Sequence, residues 1–157
     1  LWRAGEGFEQ DNTDVAGALA ALAQLGGSSC TVLGSCGVAD ALTEAAAQVA
    51  VTLRFVKRAE AVGLRLFGAV VWTWPPELEA PDGLRLDGAR VGVICYGGRG
   101  HRVAAQIRLL GGTPVRLGAR WFIAQARAQR ARHLSGTLWR SGQTFRITVE
   151  QPYLDPA

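Results

Sequence analysis

Turn-forming residues cut the chain beyond residue 48 into short pieces, and this spacing restricts the available folds more than any other feature. The breaks are Pro75-Pro76, Asp82-Gly83, Asp87-Gly88, the glycine cluster at 97–100, Gly111-Gly112 and Ser141-Gly142. Between them apolar residues alternate with polar ones. Val49, Val51, Leu53 and Phe55 share one face of a strand, and Leu64, Leu66, Ala69 and Val71 lead a second strand into Trp72 and Trp74, which Pro75-Pro76 ends. Residues 91–96 read as a buried strand, and Val103, Ala105, Ile107 and Leu109 alternate around Gln106 and Arg108. Further strands are expected at 115–117, 121–126, 137–140 and 144–149, the last two forming a hairpin about Ser141-Gly142. Residues 124–134 fit helix or strand. Short strands without long helices between them predict a mainly β chain, an antiparallel β-sandwich or jelly-roll-like barrel.

The front of the chain differs. Residues 14–25 form an Ala/Leu run that Asp11, Asn12 or Thr13 can cap and Gly26-Gly27 stops, so a helix is expected there. Residues 40–48 suit a second helix. The expected organisation is one domain over 1–157, partly helical through 48 and β-rich from 49. There is no Met in the sequence, which suggests a domain processed or excised from a longer chain.

Charge divides the same way. Residues 1–80 carry five basic and nine acidic side chains, whereas 81–157 carry twelve Arg and four acids. Such a basic half is compatible with a nucleic acid, although few aromatics accompany it and solvated Arg is the plainer reading. No run approaches the roughly 18 apolar residues of a membrane-spanning helix, so no membrane role is expected. Cys30, Cys36 and Cys95 match neither a disulfide framework nor a zinc site, and neither metal nor cofactor is expected. Buried thiols of a reduced intracellular protein, in cytoplasm or nucleus, are the expectation; in an oxidising compartment Cys30 and Cys36 could pair.

The densest candidate for chemistry runs from Gly92 to Arg102, with Cys95, Tyr96, Arg99 and His101 among its glycines. One reading makes Cys95 a nucleophile after a buried strand, with Arg99 or Arg102 binding an anion and His101 acting as acid or base, as in thiol phosphatases and rhodanese-like sulfurtransferases. In those families four or five residues separate Cys from Arg, whereas three separate Arg99 from Cys95 and six separate Arg102. A phosphate loop lacks its lysine. A plainer reading makes Cys95 a core residue before a tight glycine turn.

The surroundings of this motif resemble the trimeric dUTPase family over residues 37–128. Gly92, Val93, Ile94 and Tyr96, with Arg99-Gly100, match its third motif, and Gly118, Arg120, Ile123, Ala124 and Gln125 match its fourth with one extra residue. The resemblance implies an antiparallel β fold. Cys95 stands where that family carries its catalytic Asp, the Arg-Ser-Ser motif is replaced around Trp72 and Trp74, and the C-terminal phosphate arm is missing. Such departures resemble the dUTPase-related proteins of herpesviruses and imply lost hydrolysis. The expected function is therefore a non-catalytic, β-rich protein-interaction domain of a larger protein, a viral one if the resemblance holds. Trp72, Trp74, Tyr96, Arg99, Arg120, Trp121 and Trp139 are its expected contacts. The alternatives are a self-associating component of a virion or other assembly, and a Cys95 enzyme of sulfurtransferase or phosphatase type.

Overall fold

The computed structural model describes residues 14–35, 37–95, 97–118, 120, 121, 123 and 124 in full. Of residues 2–4, 7–9, 135–140 and 143–148 it describes the strand pairing. In chain order the elements are β1 (Trp2–Ala4), β2 (Gly7–Glu9), α1 (Asp14–Leu25), β3 (Ser29–Leu33), α2 (Ala39–Gln48) and β4 (Thr52–Val56). They continue with β5 (Ala69–Trp72), β6 (Arg90–Val93), α3 (Gly97–Leu109), β7 (Thr113–Arg116), β8 (Ser135–Arg140) and β9 (Gln143–Thr148).

Five of these strands make one sheet in the order β4-β3-β5-β6-β7, and every neighbour is parallel. The antiparallel sandwich or barrel expected from the turn spacing is thus replaced by an α/β fold. The physical reason lies in the strands themselves. Val70, Val71 and Trp72 are consecutive and all buried, as are Val91 and Val93 around Gly92. Runs buried on both faces belong to a sheet covered by helices on each side.

Alternate residues of one strand enter two cores. Cys30, Val32 and Val71 meet α1, α2, Leu117 and Trp121 on one face. Leu33, Val70, Trp72, Val91 and Val93 meet Val103 and Ile107 of α3 on the other. Helix α2 joins β3 to β4, and α3 joins β6 to β7, so the two crossovers cover opposite faces. This is a doubly wound arrangement, with the direction of winding reversing between β3 and β5. The connections 57–68 and 73–89 lack α-helices; instead Leu66, Leu84 and Leu86 fold in beside α3 as apolar filling.

The helix over 14–25 forms as expected. Its buried residues Val15, Ala18, Ala21, Leu22 and Leu25 make one stripe, and Gly26 and Gly27 close it with φ of +72° and +87°. The expected strand over 103–109 is instead the second half of α3. Val103, Ala104 and Ile107 are buried, while Leu109 is 88% exposed, a helical pattern that the apolar alternation concealed. Residues 120, 121, 123 and 124 are also helical rather than extended, with the Trp121 amide donating to the Leu117 carbonyl at 2.8 Å. The second expected strand shrinks to β5, preceded by a single bridge between Arg65 and Arg85. At the C-terminal end the expected hairpin is present as antiparallel β8 and β9, with Arg140 opposite Gln143. Among the described residues no helix is long and apolar enough to cross a membrane.

Candidate functional site

Sheets of this topology offer ligands the crevice at the carboxyl ends of their strands. At the switch point the ends of β3 and β5 are tied together. The Thr73 hydroxyl donates to the Leu33 carbonyl at 2.7 Å, and Gly34, at φ +113°, lies against Thr73 and Trp74. An open recess lies farther along the same edge, where β6 passes into α3 beside the end of β7. It has a volume of about 180 Å³ and is lined by Val93, Cys95, Gly97, Gly100, His101, Arg116 and Gly118. Pockets for whole drug-sized ligands start at roughly 300 Å³, so this recess suits a small group.

Two glycines shape it. Gly97 opens α3 at φ +53°, a conformation strained for residues with a side chain. Gly100 comes so near the preceding loop that an added Cβ would stand 2.5 Å from the Cys95 carbonyl oxygen. The first turn of α3 is therefore pressed against Cys95, and that turn carries no acidic residue. The dipole of a helix favours an anion at its amino end.

Arg116 supplies the second wall. Its Cα is paired with that of Val93 in the sheet, two residues ahead of Cys95, and its guanidinium nitrogen lies 3.1 Å from His101 Nδ1. Guanidinium can only donate, so in this contact Nδ1 is the acceptor. Arg116, His101 and the amino end of α3 thus line one recess with Cys95, whose half-buried side chain also packs against the core beneath α3.

The structure joins Cys95 and His101, as the sequence suggested, but not the arginines named with them. Arg99 turns to Glu77, 3.5 Å away, in an exposed ion pair. Arg102 and Arg120 are exposed and do not line the recess. Arg116 lines the recess where Arg99 or Arg102 was expected; its only sequence signal is a basic residue ending a strand before a glycine. Tyr96 lies outside the described residues, as do Cys36, Gln125 and the side chain of Trp139.

The aromatic contacts require correction. Trp72, Trp74 and Trp121 are 2%, 6% and 4% exposed and belong to the cores. Trp72 and Trp74 meet edge to face at 5.2 Å, and the Arg58 guanidinium lies 5.8 Å from the Trp74 ring. Cys30 is also buried, and the loss of hydration pushes its thiol up to about 11. Among the described residues no three His, Cys, Asp or Glu side chains gather as metal ligands would.

Comparison of the chain with protein families, curated proteins and solved structures finds no match. Of the residues matched to the third and fourth dUTPase motifs, Val93, Gly100 and Gly118 line the same recess. They do so in a parallel sheet, not in the antiparallel fold that the resemblance implied.

Proposed function

We propose that this chain is a thiol-dependent group-transfer enzyme that holds a small anionic substrate in the Cys95 recess, with Cys95 as nucleophile. The observation that carries this reading is the convergence of Cys95, the α3 amino end, His101 and Arg116 on one recess of about 180 Å³. Arg116 and the amino end of α3 would bind the anion, with His101 beside them. The competing role as an interaction domain relied on exposed tryptophans, and three of those are buried.

The test is alkylation of Cys95 in the folded chain by iodoacetate, followed by peptide mass spectrometry, with and without inorganic phosphate or sulfate. Modification of Cys95 that either anion slows supports the reading. A thiol that stays unmodified, or reacts at a rate no anion changes, overturns it.

A further inference from the structure

The two edges of the parallel sheet differ in what they present to another strand. On β7 the Thr113 N–H donates to the Ala89 carbonyl at 2.8 Å and the Leu117 N–H to the Val93 carbonyl at 2.9 Å. Alternation therefore turns the backbone of Pro114 and Arg116 outward, and Pro114 has no N–H to donate. On β4 the Thr52 N–H donates to the Ser28 carbonyl and the Val56 carbonyl accepts from Gly34, both at 2.9 Å. Leu53 and Phe55 thus turn outward with donor and acceptor both present. Their side chains continue a row with Val51 on one face of the strand. Val51 and Leu53 pack against the α1–α2 core, whereas Phe55 is 39% exposed and Val49, beyond Val51, is 48% exposed. Among the described residues β4 pairs with β3 alone.

We infer that the β4 edge binds the β4 edge of a second copy, antiparallel about a two-fold axis at Leu53, so that the two five-stranded sheets become continuous. The register follows from the residues on the edge. Centred on Arg54, the pairing sets two guanidinium groups directly opposite each other, and they repel. Centred on Phe55, it needs the backbone of Lys57, whose N–H donates to Glu60 Oε2 at 2.8 Å and whose carbonyl accepts from Glu60 and Ala61. Centred on Leu53, that residue exchanges two hydrogen bonds with its counterpart, and the Phe55 N–H donates to the Val51 carbonyl across the axis. The Val51 N–H, already donated to Ala46 at 3.0 Å, is not required. Val51 then meets Phe55 on the apolar face, and Arg54 meets Thr52 on the other. Because Pro114 blunts the opposite edge, association closes at two copies instead of extending into a fibre. The Cys95 recess lies at the β6–β7 end of the strand order, so this inference does not depend on the chemistry proposed there.

The experiment measures the mass of the full chain by sedimentation velocity and by light scattering after size exclusion, at concentrations up to about 1 mM, since an edge contact is small and its affinity modest. The expected result is a concentration-dependent dimer. Thr52 and Arg54 are both exposed, so charge changes there test the register without disturbing a core. Thr52→Glu should tighten the dimer roughly twofold to thirtyfold, because the pair with Arg54 occurs twice across the axis. Thr52→Arg should weaken it by a similar factor, and adding Arg54→Glu to Thr52→Arg should restore it. Phe55→Lys should give a monomer, with circular dichroism confirming that it folds. A chain that stays monomeric over the whole range overturns the inference. So does a dimer whose affinity the Thr52 variants leave unchanged, which would place the contact elsewhere. Species that grow past the dimer with concentration overturn the two-fold closure.

Discussion

Gly17 of α1 and Trp121 are in such close contact that a Cβ at position 17 would overlap Cδ1, Nε1 and Cε2 of the indole. Trp121 comes three residues after Gly118, which lines the recess with Arg116, so this contact packs the chain just beyond the second wall of the site against α1. A glycine inside a helix usually costs about 1 kcal/mol relative to alanine. Here the usual gain from Gly17→Ala is outweighed, because the overlap is with a rigid ring in a closed core, and overpacking costs roughly 1–3 kcal/mol. Urea unfolding should show Gly17→Ala destabilised and Trp121→Ala losing about 3–5 kcal/mol, in line with other buried aromatic truncations.

Gly100 and Gly98 provide a matched pair within one turn of α3. A methyl at Gly100 meets the Cys95 backbone oxygen, which cannot rotate away as a flexible side chain would; a methyl at Gly98 meets nothing within 4 Å. Gly100→Ala should therefore displace the Cys95 loop and lower Cys95 alkylation or turnover by roughly a hundredfold, the scale of a misplaced reacting group. Gly98→Ala should leave both unchanged. Circular dichroism of the two variants separates a displaced loop from an unfolded chain.

Leu109 and Ile107 distinguish the helix from the strand that apolar alternation suggests. On a strand the two would share a buried face; on α3 Ile107 is fully buried and Leu109 is 88% exposed. Leu109→Lys should change unfolding free energy by less than about 0.5 kcal/mol, as exposed substitutions do. Ile107→Ala should cost about 2–5 kcal/mol. Equal losses at both positions would return the segment to a strand.

These contrasts show where local sequence was informative. Helix α1 was legible to its last residue because Gly26 and Gly27, both with positive φ, end an uninterrupted Ala/Leu stripe. The β8–β9 hairpin was legible because its register is set by adjacent chain. Helix α3 was not, since Gly97, Gly98 and Gly100 are poor helix formers, and Gly100 is set by its close approach to the Cys95 backbone rather than by helix propensity. Sheet direction was also hidden: parallel pairs such as Val71 with Gly92 join residues far apart in sequence. The same non-locality concealed Arg116, whose place beside Cys95 follows from its pairing with Val93. Cys95 and His101 were visible because one short motif carries both.

Cys30 predicts how stability should respond to alkali. It lies in the α1–α2 core, and burial raises its thiol from an ordinary 9.0 to about 11. The folded chain then holds this proton more tightly than the unfolded one. Its contribution to stability is complete below about pH 9 and is lost as pH rises through 9 toward 11, where unfolding releases the proton. At about 1.4 kcal/mol per pH unit, the full loss is on the order of 2–3 kcal/mol. Urea midpoints measured between pH 8 and pH 11 should fall more steeply for the natural chain than for Cys30→Ala. Parallel slopes would mean that the thiol ionises as readily in the folded core as in the open chain. The same burial should keep Cys30 unalkylated at neutral pH until denaturant is added, so that mass spectrometry of the folded chain assigns early modification to other thiols.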